Sequence, residues 1–477
     1  MPVLLVLLIA ALAQPDPRPV VVSGEGLGPL FGAAADEVAA FAVRDGRLVE
    51  VPVQVDERFV YDVARVYAGL TPGDCPRAWW CRDLEGHVVT LGYADPGTHV
   101  GPDPLPGLDA DDEVALLAAD FGTPLAEGQV PEGVDPASGV EVRVEVGDEE
   151  RAVTLWRRRS ARPAPDAGVT YAAQFERGSY LSTYDRAGRR PPWIGWPLGF
   201  PSGTRTGLNP EDSWVRTPHY ALAFSDRWIL DRLHVGPPEA RGPDLLDIDM
   251  VMFGPGVCQR TPRTGALSEG GFLVNRSGPV RAIRRAVGFN SGPLVETEWT
   301  FYPRLAESRT ALRVHPIPGV IAFLDLSDEA EGATYRSARL HSGARVDGRP
   351  DWLPEGEVEW EAVERDGGGW TVRHEVTARV PGVRVVPFYA DSARPDQPPC
   401  MGDRQFLGAH GVWARGPIPN TDPRHGEAGA LVLRRTFAFG GDTEADLDAL
   451  RQPLVPRLRA LGRPAAPPAG GGAPERP

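Results

Sequence analysis

The sequence contains no lysine: all 50 basic residues among its 477 are arginine. Chemistry that needs a lysine amine is therefore excluded, including the Walker phosphate-binding loop, a pyridoxal Schiff base and a Ser–Lys catalytic pair. Other catalytic patterns are missing as well. No G-x-S-x-G nucleophile elbow occurs, no EF-hand loop is present, and His374-Glu375 lacks the second histidine of a zinc-protease motif.

Positive charge is also in short supply, because 65 acidic residues outnumber the basic ones and give a net charge of −15. An acidic surface argues against nucleic acid and anionic membranes as partners. Beyond the first residues, no apolar run approaches the roughly 20 residues that span a bilayer. We therefore predict no nucleic-acid partner and no membrane span. We identify no cofactor and no metal ligand in the sequence, which leaves metal dependence and the oligomeric state open.

The first thirteen residues, MPVLLVLLIAALA, are an apolar run that ends in an A-x-A sequence. This pattern is typical of a secretory signal, although no Lys or Arg precedes the apolar run. Cleavage after Ala13 would leave Gln14 as the N-terminus. We expect a secreted or periplasmic protein with residues 1–13 removed.

Four cysteines fit an oxidising compartment. Cys75 and Cys81 enclose five residues, so a small disulfide-closed loop is the first interpretation. Cys258 and Cys400 would then pair across a long loop. A zinc site is the weaker alternative, because no C-x-x-C occurs.

The sequence predicts a mainly β protein with few helices. Gly and Pro number 55 and 50, and short runs of alternating apolar and polar residues recur between turn residues. We predict a small β-sandwich over 20–160, a linker at 160–168, and a larger β-sandwich over 169–440. A helix is expected over 441–462, broken by two prolines, and a disordered tail over 463–477.

The first candidate site is the strand predicted over 294–302. Period two places Glu296, Glu298, Thr300 and Tyr302 on one face. Two carboxylates about 7 Å apart are within reach of glycosidase spacings. The alternative is a solvated strand face without function.

A second candidate is the arginine-rich segment 275–290, in which Arg281 and Asn290 could bind a carboxylate or sulfate. In an acidic protein these arginines could instead pair with Asp and Glu. A third candidate is the Gly/Pro-rich segment 399–425, which we interpret as a polar loop that carries His410. Its alternative is a packed connection.

Aromatic residues are dense over 169–240 and include Trp193 and Trp196. Aromatic rings with polar neighbours suit sugars, whose C–H faces stack on rings. The alternative is an aromatic core between domains.

Several segments of the sequence resemble segments that recur in uncharacterised secreted bacterial β-sandwich proteins. They are GPVRAIRRAVGFNSGPLVETEWTFY, LRVHPIPGVIAFLD, and CMGDRQFLGAHG with PNTDPRHG. The GPVR turn followed by long alternating strands is also similar to galactose-mutarotase-like super-sandwich domains, many of which handle polysaccharides. The resemblance covers about residues 240–440. It implies a β-super-sandwich and transfers no catalytic residue to this sequence.

Together these features predict a protein directed at a polysaccharide or glycan. As an enzyme it would be a polysaccharide lyase, with Arg281 or Asn290 facing a uronate carboxylate and His410 or Tyr302 as base. A glycoside hydrolase would instead use Glu296 and Glu298. The alternative is a non-catalytic glycan-binding or envelope-associated protein that uses the Trp-rich surface.

Overall fold

The computed structural model confirms a mainly β protein. It describes residues 16–63, 88–98, 100–172, 212–225, 229–253, 270–288, 295–313, 316–366, 368–392, 406–419, 431–440 and 443–461. Within these ranges, no helix is long and apolar enough to cross a membrane.

The strands of the described ranges are numbered in chain order. Those before residue 160 are β1 Pro19–Ser23, β2 Val38–Arg44, β3 Arg47–Val51, β4 Gln54–Asp56, β5 Arg58–Asp62, β6 Val89–Tyr93, β7 Glu113–Leu117, β8 Val140–Val146 and β9 Glu149–Arg157. The later ones are β10 Thr170–Ala172, β11 Asp212–Arg216, β12 Tyr220–Ser225, β13 Ile229–Val235, β14 Leu246–Phe253, β15 Gly270–Ser277, β16 Ala282–Gly288, β17 Glu296–Phe301, β18 Leu305–Leu312, β19 Ile317–Leu326, β20 Thr334–Ser337, β21 Leu340–Arg345, β22 Trp360–Glu364, β23 Trp370–Ala378, β24 Arg384–Ser392, β25 Phe406–Ile418, β26 Leu431–Phe439 and β27 Arg457–Ala460.

Helical structure in these ranges consists of one α-helix, α1, and short 3-10 turns. Helix α1 is Thr443–Arg451. The 3-10 turns are Gly24–Gly26, Gly28–Leu30, Ala35–Glu37, Ala118–Asp120, Pro238–Ala240 and Asp328–Ala330.

The N-terminal strands form two sheets around one core. A five-stranded sheet has the order β27-β8-β9-β2-β3, a three-stranded sheet has the order β1-β7-β4, and β5 and β6 pair separately. Strand β8 shows why these residues form a sheet: Val140, Val142 and Val144 alternate with polar residues and are buried. They pack with the valines of β1 and β7 in one apolar cluster.

One predicted strand is split in two. The alternating run 48–55 reads as a single strand, but Pro52 and Val53 separate β3 from β4. Proline has no N–H to donate to a strand ladder. Strand β3 pairs with β2, whereas β4 pairs with β7, so the break moves the chain from one sheet to the other.

The larger part of the chain contains a nine-stranded sheet with the order β15-β16-β17-β18-β26-β23-β22-β20-β21. Two four-stranded sheets, β10-β11-β12-β13 and β14-β19-β25-β24, contribute to the same core as its inner face. Aromatic rings fill this core: the Tyr220 and Phe439 centroids are 4.0 Å apart, and Trp299 and Phe437 are 5.6 Å apart. These rings are buried in the core. From the sequence, the aromatic residues could equally have formed a core or a sugar-binding surface.

Two predicted elements differ from the structure. The helix expected over 441–462 ends at Arg451, because Pro453 and Pro456 cannot continue it. The residues after Pro456 form β27, which pairs with β8 and joins the N-terminal five-stranded sheet.

The second difference concerns the segment 399–425, which was predicted as a loop. Residues 406–418 of this segment are strand β25, between β19 and β24. The glycines of this segment favoured the prediction of a loop, but the packing of the sheet requires a glycine at position 411. A Cβ at Gly411, whose φ is 156°, would lie 2.2 Å from the carbonyl oxygen of Ala322 on β19.

Candidate functional site

Several predicted site residues lie outside the described residues. They are Trp193, Trp196, Asn290 and all four cysteines, Cys75, Cys81, Cys258 and Cys400. Their roles stay predictions.

Glu296 is buried in a cluster of arginines. It is 1% exposed, and its carboxylate pairs with Arg285, with Arg313 at 3.2 Å and with Arg309 at 3.4 Å. Burial alone would raise the pKa of Glu296, but the three guanidinium groups outweigh it and lower the pKa to about 2. Glu296 therefore links β17 to the arginines of β16 and β18 and is closed off from solvent.

Arg281 and Tyr302 are brought together, but inside the protein. Arg281 is 2% exposed, and its Nη1 donates to the Tyr302 hydroxyl at 3.1 Å. Its guanidinium also pairs with Asp56 and Glu113, each at 2.8 Å. Burial raises the pKa of Tyr302, which keeps the phenol protonated and unsuited to act as a base. Arg281 thus fits the alternative interpretation of the arginine-rich segment, in which the arginines pair with acidic residues.

His410 lies on β25 and is fully buried. Its Nδ1 is 2.8 Å from the carbonyl oxygen of Gly408, and its ring centroid is 5.4 Å from that of Tyr335 and 6.2 Å from that of Trp370. Burial lowers the pKa of His410, so the imidazole is neutral near pH 7. None of its contacts among the described residues involves Arg281 or Tyr302.

Among the predicted site residues that the structure describes, Glu298 is the one that lines an open space. Arg285 lies 3.4 Å from its carboxylate, and the side chain remains partly exposed. It lines a groove of about 530 Å³ on the outer face of the nine-stranded sheet. We call this space the outer groove.

Charged residues from four adjacent strands make the floor of the outer groove. In one cross-strand row, Glu298 of β17 lies opposite Arg309 of β18, which lies opposite Arg434 of β26, next to Glu375 of β23. The neighbouring row is Thr300, Glu307, Thr436 and Arg373. Residues two apart on a strand share a face, so both rows point into the groove.

The walls of the outer groove come from apolar residues of the two flanking elements. Pro19 and Val21 belong to β1, Leu450 belongs to α1, and Pro453 and Leu454 follow the helix. The groove thus lies where the N-terminal strands and α1 meet the nine-stranded sheet. Such boundaries between packed units are common places for ligand sites.

Glu307 has the most unusual environment on this floor. Burial raises its pKa, and the positive charges of Arg281 and Arg434 only partly offset this effect. Among the described residues, Glu307 forms no ion pair. Glu307 was not among the residues singled out from the sequence, although it lies on β18. The alternation of Glu307 and Arg309 is the signal that could have found it.

The other charged residues of the groove floor differ in whether they have an ion-pair partner. Arg373 pairs with Glu375 at 2.7 Å. Arg434 is exposed and forms no ion pair within the described part of the chain. It is therefore the guanidinium best placed to meet an anionic group of a ligand.

A second space lies between the nine-stranded sheet and β14-β19-β25-β24. It has a volume of about 60 Å³ and is lined in part by Asp249, Trp299 and Arg435. Asp249 and Arg435 form an ion pair with two hydrogen bonds, so neither charge is left for a ligand. A space of this size holds a few water molecules at most, so it does not compete with the outer groove as a sugar site.

No protein-family model and no curated protein matches this sequence. The chain is similar in structure to the protein HI1317, with a TM-score of 0.30 and 8% identity over 48% of this chain and 92% of the other. It is also similar to the suspected mutarotase YeaD from Salmonella typhimurium, with a TM-score of 0.31 and 12% identity over 49% and 92%. A third neighbour is Slr1438 from Synechocystis sp. PCC 6803, with a TM-score of 0.29 and 9% identity over 52% and 100%. Similarity at this level says nothing about what this chain binds.

Proposed function

We propose that the protein is exported and hydrolyses a polysaccharide in the outer groove, with Glu298 and Glu307 as its two carboxylates. The observation that carries the proposal is their placement. Glu298 lies opposite Arg309, two residues beyond Glu307 on β18, so the two glutamates are diagonal neighbours on one face. Diagonal neighbours have their Cβ atoms about 7 Å apart, which puts the two carboxyl groups within reach of the separation of about 6.5–9.5 Å found in inverting glycosidases.

The environments of the two carboxylates suggest different roles. Burial raises the pKa of Glu307, which favours a protonated carboxyl that can donate to the glycosidic oxygen. Glu298 pairs with Arg285 at 3.4 Å and is partly open to the groove. It would accept a proton from the water that attacks the anomeric carbon. The glycosidic bond breaks, and the proton that leaves Glu307 is matched by the proton that Glu298 receives.

The arginines of the floor favour an acidic substrate. Arg434 is exposed and unpaired within the described residues, and Arg309 lies directly opposite it on β18. A uronate carboxylate can accept two hydrogen bonds from one guanidinium. This makes a uronate-containing polysaccharide the first substrate class to test. Of the lyase residues considered from the sequence, Arg281, Tyr302 and His410 are buried and Asn290 lies outside the described residues, so we propose hydrolysis rather than a lyase reaction.

The test uses the full chain secreted from its host. N-terminal sequencing should find Gln14 first, and an intact Met1 would contradict export. The purified protein is incubated with neutral and uronate polysaccharides while reducing ends and unsaturated-uronate absorbance are followed. Hydrolysis predicts reducing ends without unsaturated products.

Variants connect the activity to the groove. Glu307→Gln and Glu298→Gln should each lower the rate by about 10²–10⁴-fold with little change in Tm. Glu355→Gln is the control, because Glu355 is exposed and lies outside the groove lining. Unsaturated products would indicate a lyase, and binding without products would indicate a glycan-binding protein. Full activity in both groove variants would overturn the proposed site.

A further inference from the structure

An aromatic and cationic surface lies on the outer face of the four-stranded sheet β10-β11-β12-β13. The opposite face of this sheet carries Val215, Leu222 and Leu233, which are buried in the core that it shares with the nine-stranded sheet. Because side chains alternate along a strand, Trp214 and Arg216 point away from that core. This surface therefore belongs to a different layer from the outer groove, which lies on the outer face of the nine-stranded sheet.

Strand pairing arranges this outer face in two rows that run from β11 across β12 to β13. Each row has an alanine on the middle strand and larger side chains on both sides. The residues are Trp214, Ala223 and Arg232 in the first row, and Arg216, Ala221 and His234 in the second. Alanine leaves room above the middle strand, so the side chains of the flanking strands, about 10 Å apart, can meet over it. We call this surface the Trp214 face.

The indole ring of Trp214 is the centre of this face. The guanidinium carbon of Arg216 lies 4.9 Å from the ring centroid, and that of Arg232 lies 5.7 Å from it. The imidazole of His234 stacks with the same ring at a centroid distance of 6.2 Å. The tryptophan is half-buried, whereas both arginines are exposed. A cation–π contact positions a guanidinium without neutralising it, so its N–H groups stay available to an anion.

The positive charge of this face is not balanced by ion pairs. Arg216 and Arg232 form none within the described part of the chain. Arg241 lies beside them and donates from Nη2 to the carbonyl oxygen of Thr217 at 2.9 Å, while its Nη1 has no hydrogen-bond partner among the described residues. Burial lowers the pKa of Arg241, the charge of Arg216 lowers it further, and Glu239 offsets only part of this effect. An anion would relieve the repulsion between these cations.

We propose that the Trp214 face binds the uronate carboxylates of an acidic polysaccharide through Arg216, Arg232 and Arg241. A guanidinium can donate two parallel hydrogen bonds to a carboxylate. A uronate polymer repeats its carboxylates along the chain, so several arginines on one face can bind the same polymer. Charge complementarity favours this occupant, because the net charge of −15 repels a polyanion everywhere except at local positive surfaces. The inference rests on the proposed function for the identity of the polymer, and it adds a second, non-catalytic surface that holds it.

The experiment measures binding of the full mature chain to immobilised polygalacturonate, dextran sulfate and neutral dextran. The Glu298→Gln protein is used, so that the polymer is not consumed. It should be retained on polygalacturonate and not on dextran, and NaCl should weaken the retention because exposed charges are screened. No retention on polygalacturonate, with or without retention on dextran sulfate, would overturn the proposal. Equal retention on neutral dextran would overturn it as well.

Three variants locate the binding surface. Arg216→Ala and Arg232→Ala should each weaken binding to polygalacturonate by about tenfold, with little change in Tm because both side chains are exposed. Arg47→Ala is the matched control, since Arg47 is an exposed arginine of β3 and its loss changes the net charge equally. Unchanged binding in both site variants, or an equal loss in the control, would overturn the proposal.

The two proposals fail separately, because binding is measured without turnover. Reducing ends are followed in wild type in a parallel assay. Binding that depends on Arg216 and Arg232 in a chain that releases no reducing ends would contradict the hydrolysis and support the Trp214 face. Hydrolysis with binding that does not depend on these arginines would contradict the Trp214 face alone.

Discussion

Glu113 of β7 and Arg281, which precedes β16, form an ion pair of 2.8 Å that joins two different sheets. Arg281 also pairs with Asp56 of β4. The side-chain oxygen of Gln54 accepts the backbone N–H groups of Val280 and Arg281 at 3.0 and 2.9 Å. The contact between the N-terminal strands and the nine-stranded sheet is therefore a buried polar network whose members are paired.

Arg281→Ala should strongly destabilise the protein. The change leaves Asp56 and Glu113 without their shared cation, and breaking a buried ion pair typically costs about 3–5 kcal/mol. Denaturant unfolding followed by tryptophan fluorescence measures the loss. Arg151→Ala removes an exposed pair with Glu149 and should cost less than about 1 kcal/mol. Equal effects of the two changes would show that the network contributes little.

Because Glu296 is a buried carboxylate, we expect the stability of the folded protein to fall in acid. Its pKa is about 2 in the folded protein against an ordinary value of 4.5. A lowered pKa means that the carboxylate contributes stability above about pH 4.5, and that this contribution is lost as the pH falls toward 2. The difference corresponds to roughly 3 kcal/mol.

The measurement is the free energy of unfolding of wild type and Glu296→Gln between pH 7 and pH 2. Wild type should be more stable at neutral pH, and the difference between the two proteins should shrink as the pH falls through this window. A difference that stays constant with pH would contradict the role of Glu296 as the buried anion.

The strands were predictable where alternation was clean. In the first half of β14, for example, Asp247 and Asp249 alternate with the buried Leu246, Ile248 and Met250. Strand β18 is less obvious in the sequence, because it places the charged Glu307 and Arg309 on the groove face. Strand β25 was missed because its glycines serve close packing, which only the neighbouring strand reveals.

The candidate site was less predictable than the fold. The sequence drew attention to the arginines of 275–290 and the glutamates of 294–302, but some of their partners lie far away in sequence. Asp56, for example, is 225 residues from Arg281. Periodicity tells which residues share a face, not whether another sheet covers that face. Glu296 and Glu298 share a face, yet one is surrounded by arginines and the other lines the groove.

A disulfide between Cys75 and Cys81 remains a prediction, together with Cys258–Cys400. Closing the short loop should stabilise the folded protein by about 2–3 kcal/mol. Peptide mapping of secreted material without reduction identifies the pairs. Free thiols at 75 and 81 in that material would contradict the prediction.

His410→Ala separates a structural role from a catalytic one. The ring is fully buried against Tyr335 and Trp370, so its removal leaves a cavity in the core. Large-to-small core substitutions cost about 2–5 kcal/mol, and we expect a loss in this range. His341→Ala is the control, because His341 is exposed and should change stability by about 0.5 kcal/mol or less.

Both variants are compared with wild type by denaturant unfolding and by polysaccharide turnover under conditions where each is folded. A folded His410→Ala protein should retain turnover, since the histidine does not line the outer groove. Lost turnover with unchanged stability would instead place His410 at the site of reaction, as the sequence alone had suggested.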